Sequence, residues 1–132
     1  MVASKKNSIE TCGELVKAVV ELGKNLGLET KEQYPAGKRI WGSNRKIDVI
    51  LVNPQTRKAL GIECKFQKTL GTTEEKIPSV VEDIKSWPIY GIILYGGEGI
   101  TQNMKSFLIS TGRALEIEDL ESWLKLYFGL PL

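Results

Sequence analysis

The sequence predicts an α/β domain: a mixed central β-sheet flanked by α-helices, in the order αβββαβ with further helices toward the C-terminal end. Three observations predict it. Residues 46–52 and 59–67 read as two strands joined by turn chemistry, Asn53-Pro54-Gln55-Thr56-Arg57-Lys58. Apolar residues at three- and four-residue steps precede the pair (Ile9, Cys12, Leu15, Val16, Val19, Leu22, Leu26) and follow it (Ile77, Val80, Val81, Ile84, Trp87), as on amphipathic helices. The apolar run 89–95 then reads as a strand buried on both faces. Reached by a helical crossover, it should lie parallel to residues 59–67.

Taken in order, residues 1–7 are polar and expected to fray. The first helix begins at Ser8, with Asn7 or Ser8 as N-cap and Gly27 as its stop. Residues 28–33 form a first strand, and 34–46 a loop or hairpin. That segment holds Lys38, Arg39, Arg45 and Lys46 with no acid, together with Tyr34 and Trp41; its cations suit phosphates, and Trp41 is assigned to the core. Pro78 fits the first turn of the second helix, where a missing N–H costs nothing. A helix over 101–109, a last strand over 113–117 and an amphipathic helix over 119–128 complete the chain. The aromatics of the last helix are assigned to the core or a subunit interface, since no basic residues interleave them.

Composition narrows the function. The 132 residues suit one domain, 1–132, and are 42% hydrophobic and 26% charged, which is ordinary for a globular protein. The net charge of +2 is uneven: residues 1–76 carry 14 Lys/Arg against 9 Asp/Glu, and 77–132 carry 4 against 7. A basic half beside an acidic half fits a protein that turns one side to a polyanion. Without histidine, His–metal nucleases, Ser-His-Asp hydrolysis and Cys-His catalysis are excluded. Cys12 and Cys64 lack metal spacing and read as two buried thiols. With no signal-peptide pattern and no apolar run of membrane-spanning length, an intracellular, cytoplasmic setting is expected.

The chemistry lies in the strand pair. If Val52 sits opposite Ala59, Ile50 faces Gly61 and Asp48 faces Glu63. Asp48, Glu63, Lys65 and Gln67 then share one face, while Ile47, Val49, Leu51, Leu60, Ile62, Cys64 and Phe66 form the other. Opposed carboxylates with Cβ atoms about 5 Å apart repel each other. A divalent cation turns that repulsion into coordination, and Mg²⁺ typically takes one or two carboxylates and keeps waters. Lys65, about 7 Å along the strand from Glu63, can orient a water or neutralise developing charge.

Asp48 followed by Glu63-Cys64-Lys65 on the next strand resembles the PD-(D/E)xK nuclease superfamily, which includes type II restriction enzymes, some homing endonucleases and Holliday-junction resolvases. Ile47 stands where many relatives have proline. The resemblance implies a restriction-endonuclease-like core and Mg²⁺-dependent hydrolysis of phosphodiester bonds in double-stranded DNA, with Mn²⁺ able to substitute. It implies Asp48, Glu63 and the Cys64 carbonyl as metal ligands, Lys65 as the residue that positions water, and Gln67 and Glu14 as accessory catalytic residues. It also marks Lys76, in Gly71-Thr72-Thr73-Glu74-Glu75-Lys76-Ile77, beside Lys38, Arg39, Arg45, Lys46 and Lys68 as DNA-binding candidates. The expected activity is a restriction- or homing-type endonuclease. The alternatives are a repair or junction-resolving nuclease, or a non-catalytic DNA-binding domain that keeps the fold. Cutting both strands with one centre per chain calls for at least a homodimer, for which the C-terminal helix offers apolar surface, with the crossover helix over Ile77–Trp87 as the other choice.

Overall fold

The computed structural model describes residues 9–38, 44–68 and 73–132. In chain order the elements are α1 (Cys12–Asn25), β1 (Glu29–Lys38), β2 (Asn44–Val52), β3 (Ala59–Phe66), α2 (Thr73–Lys85), β4 (Tyr90–Gly96), α3 (Gln102–Ser110), β5 (Ala114–Glu116) and α4 (Ile117–Phe128). The strands form one mixed sheet in the order β1-β2-β3-β4-β5. β1, β2 and β3 pair antiparallel, and β4 and β5 join in parallel through helical crossovers. This is the expected α/β class. No described helix is long and apolar enough to cross a membrane.

Two apolar layers sandwich the sheet. Under α1 and α4 lie Val49, Leu51, Leu60, Ile62, Cys64, Ile92 and Leu94, packed with Leu15, Val19, Leu120, Leu124 and Phe128. On the opposite face Ile50, Ile93 and Tyr95 meet Ile77, Val81, Ile84 and Trp87 of α2 and its end, with Leu108 of α3. The second layer needs a recess. Gly61 and Gly91 are neighbours in the β3–β4 register, and a Cβ on Gly61 would come within 2.7 Å of the Trp87 ring. Glycine here makes room for an indole, which buries more apolar area than any other side chain.

Several boundaries differ from the sequence reading. α1 starts at Cys12, because Thr11 accepts the Glu14 N–H and caps the helix; Ile9 lies before the cap yet still packs on the core. Of the segment read as a loop or hairpin, the hairpin form is the one seen: β1 runs on to Lys38, β2 starts at Asn44, and the two pair antiparallel. α2 begins before Ile77, which puts Pro78 inside the helix instead of in its first turn. Cys12 is exposed, not buried. The aromatics of α4 pack on the core, with Phe128 buried and Trp123 and Tyr127 against it, as expected; in addition Lys58 lies over the Tyr127 ring, on which Trp123 stacks, and Arg113 lies over Tyr90 of β4. These contacts come from the starts of β3 and β5, so sequence neighbours of α4 gave no sign of them. Trp41 lies outside the described residues.

Candidate active site

The β2–β3 turn sets the register. Asn53 is buried, and its side-chain oxygen accepts the N–H groups of Gln55 and Thr56 at 2.9 and 3.3 Å. Its backbone N–H reaches the Lys58 carbonyl at 2.9 Å, and Arg57 takes a positive φ of 66°. This closed turn places Val52 opposite Ala59 and Ile50 opposite Gly61, as expected.

The ladder described for β2 and β3 ends at Val49 and Ile62, one step before Asp48 and Glu63. There β2 turns away. Ile47, expected beside Val49, instead packs in the opposite layer with Ile50. Strict alternation would keep the two on one face, so the strand is twisted across Asp48. β3 continues without its neighbour, and side chains take over the hydrogen bonds of the missing strand. The Asp48 carboxylate accepts the Cys64 N–H through Oδ2 at 2.9 Å. Two residues on, the Cys12 Sγ accepts the Phe66 N–H at 3.2 Å. Lys65 lies between these two anchors.

The functional groups gather around Cys64. Glu63 and Lys65 form an ion pair at 3.6 Å, both partly buried, with side-chain exposures of 12% and 29%. Burial first, then the Asp48 and Glu63 carboxylates, push the Cys64 thiol well above its ordinary value. The thiol is therefore an inert core group, and the main-chain atoms of Cys64 are what face the site. In parallel register, Lys65 neighbours Tyr95 and Tyr95 neighbours Glu116, one row on the α2 face. Burial raises the Tyr95 phenol, with Glu116 adding to the shift.

The remaining predicted residues lie in different settings. Glu14 is exposed, and its Oε1 accepts the Glu10 N–H at 2.9 Å, as a carboxylate does at a helix start. Gln67 is buried beyond the end of β3. Its amide donates to the Gly99 carbonyl at 3.1 Å, its backbone exchanges bonds with Gly96 and Gly99, and its Oε1 has no partner among the described residues. It ties down the loop after β4 and does not share the open face with Lys65. Lys46 is exposed on β2. Lys68 is exposed and pairs with Glu10 at 2.9 Å, which lowers the Glu10 carboxyl and raises the Lys68 ammonium. The Lys38, Arg45 and Lys76 side chains, and Arg39, Gly71 and Thr72 altogether, lie outside the described residues.

Gln33 is a contributor that sequence reasoning missed. It belongs to β1, and its amide donates to Asp48 Oδ1 at 3.3 Å. Its signal was faint: a polar residue at the strand position that the β1–β2 register sets opposite Asp48. A cleft of about 430 Å³ opens past the carboxyl ends of β3 and β4, lined in part by Glu10, Glu98, Glu116 and Glu118 with Lys68. Four carboxylates against one ammonium make it a poor seat for phosphate.

Among the described residues no three His, Cys, Asp or Glu side chains cluster as a closed metal cage. Two carboxylates flanking the Cys64 main chain are a different donor set: hard oxygens, few in number, suited to a cation that keeps most of its waters. They fit Mg²⁺ or Mn²⁺ and not a thiolate–imidazole metal.

Two central strands bearing an aspartate, then a glutamate and a lysine two residues apart, carried on a helix-flanked mixed core, define a nuclease-type fold. The chain belongs to the PD-(D/E)XK nuclease superfamily, whose domain model matches residues 4–126. Among solved structures it is similar to the crystal structure of AF1548, itself described as a protein of unknown function. That likeness has a TM-score of 0.53 and 18% identity, and covers 76% of this chain and 55% of the other, so the chain spans about half the length of that protein. At such identity the likeness speaks to fold. A comparison with curated proteins finds no match.

Proposed function

We propose that this chain is a metal-dependent DNA endonuclease of restriction or homing type. One observation carries the reading: the Asp48 carboxylate is fixed to the Cys64 N–H where β2 leaves β3, with the Glu63–Lys65 pair beside it. Asp48 and Glu63 hold the cation, with the Cys64 carbonyl as a further ligand by family resemblance. Bound there, Mg²⁺ or Mn²⁺ supplies Lewis acidity toward water and phosphate. Lys65 orients the attacking water and stabilises negative charge that develops on the phosphate oxygens. Its ion pair with Glu63 keeps the ammonium within reach of both. Gln67 and Glu14 act indirectly, the first by fixing the loop after β4 and the second by fixing the start of α1, whose Cys12 anchors Phe66. Lys46, with Lys38, Arg39, Arg45 and Lys76, supplies contacts to the DNA backbone, while Lys68 is held by Glu10 in the acidic cleft. A homodimer, with α4 as its interface, brings two centres to antiparallel strands; light scattering at micromolar concentration tests it.

The experiment is cleavage of supercoiled plasmid with Mg²⁺, with Mn²⁺ and with EDTA, alongside Asp48→Ala and Glu63→Gln. Cutting that needs the cation and both carboxylates is expected. Undiminished cutting by both variants, or by the wild type in EDTA, overturns the assignment. Branched and linear duplexes in parallel distinguish a junction-resolving use of the same site.

A further inference from the structure

We propose that Gln33 is a positioning residue: it orients the Asp48 carboxylate for the cation and holds a strained backbone to do so. The inference rests on the metal-site reading above. In the β1–β2 register Glu32 pairs with Val49 and Tyr34 with Ile47, which sets Gln33 opposite Asp48; the ladder skips that pair, before the register shift between Pro35 and Lys38. Gln33 has a φ of 50°, in the left-handed region that residues with a Cβ seldom enter. Elsewhere the chain meets this demand with glycine, at Gly27, Gly37, Gly97, Gly112 and Gly129. Among the described residues the exceptions are Gln33 and Arg57, and Arg57 lies in a tight turn. A glutamine kept where glycine is easier points to work for its side chain.

That work is visible in the geometry. Asp48 Oδ2 is fixed from β3 by the Cys64 N–H, and Oδ1 from β1 by the Gln33 amide. Two donors on opposite sides fix the plane of the carboxylate, and each oxygen keeps a second lone pair for a cation. The donor is also neutral. An Arg or Lys at position 33 would make the same bond but oppose a divalent cation, whereas an amide orients without competing. Partners of metal ligands commonly act this way, and their loss costs about 10-fold or more in metal affinity.

The test uses the full chain and Mn²⁺, with binding read by electron paramagnetic resonance and stability by thermal melting in EDTA. Gln33→Met keeps the length and the strain but loses the donor; Gln33→Gly loses the donor and relieves the strain. Both variants are expected to bind Mn²⁺ about 10-fold more weakly, with kcat reduced and KM for DNA unchanged. Gln33→Gly is expected to melt above Gln33→Met, because a residue that only braces the hairpin would lose stability with size. Wild-type Mn²⁺ affinity in both variants, or a Gln33→Gly protein that melts below Gln33→Met, overturns the inference. Asp48→Ala is the control. If it too binds Mn²⁺ normally, the metal-site reading itself fails; if it alone loses Mn²⁺, only the role of Gln33 falls.

Discussion

Asp48→Ala separates what the carboxylate does for the fold from what it does for the reaction. Viewed as a pair of opposed acids, Asp48 and Glu63 repel, and removing one should relieve about 0.2–1 kcal/mol. The structure adds a larger opposing contribution. The Asp48 carboxylate accepts the N–H of the buried Cys64 at 2.9 Å, where β2 supplies no backbone partner. A hydrogen bond to a charged group contributes about 1.5–3 kcal/mol, and alanine leaves that N–H without an acceptor. The net expectation is a loss of about 1–2 kcal/mol, or a fall in Tm of about 3–8 °C for a domain of this size. Asp48→Asn retains an acceptor for Cys64 and should fall by less than about 1 kcal/mol. Both variants lose the ligand charge and should lose cleavage alike. The assay is thermal unfolding followed by circular dichroism in EDTA, paired with plasmid cleavage in Mg²⁺. If Asp48→Ala melts at or above the wild-type temperature in EDTA, the carboxylate–backbone bond does not stabilise the splayed strands and the reasoning fails.

Lys65→Ala should reduce turnover by about 10²–10⁴-fold while Mn²⁺ affinity stays near wild type, since lysine is not a ligand; equal losses in both would place its role in binding. Cys12→Ala removes the acceptor of the Phe66 N–H and should lower stability by about 0.5–1.5 kcal/mol, with Cys12→Ser restoring most of it; identical melting of the two variants would show the thiol to be idle. Alkaline pH should destabilise the fold through Cys64. Its folded pKa is raised above the ordinary 9.0, so its contribution is complete below about pH 9 and declines above it as the unfolded chain loses the proton. One such group gives a slope of about 1.4 kcal/mol per pH unit. Denaturant titrations at pH 9 and 10 on wild type and Cys64→Ala should show the wild type losing about 1 kcal/mol more than the variant over that interval.

How much of this was legible in the sequence follows from which interactions are local. The turn chemistry at Asn53 and the alternation of residues 59–66 depend on neighbours in the chain, and they account for the β2–β3 register from Val52–Ala59 to Val49–Ile62; the pairing of Asp48 with Glu63 expected beyond it is not part of the ladder. The face that carries them was less legible. Read by alternation, it was polar and the other face was core; yet Ile50 and Gly61 lie on it beneath Trp87, because α2 covers it up to the point where the strands part. Open polar positions begin only beyond that point, at Glu63 and Lys65. Gln67 was placed with them by parity, but β3 has ended by then and the side chain turns inward to Gly99.

The departure of β2 from β3 is also what gives the site its chemistry. In a continuous antiparallel ladder the Cys64 N–H would be held by backbone, and Asp48 would have no fixed partner on β3. Parting the strands leaves a row of main-chain donors, and the chain meets them with a carboxylate and a thiol, each from a different element. The proposed metal-ligand aspartate and a structural hydrogen-bond acceptor are therefore one group here. Substitutions that seem to probe only catalysis will also register in stability, and Asp48→Asn, which keeps the acceptor while removing the charge, is the variant in which the two effects come apart.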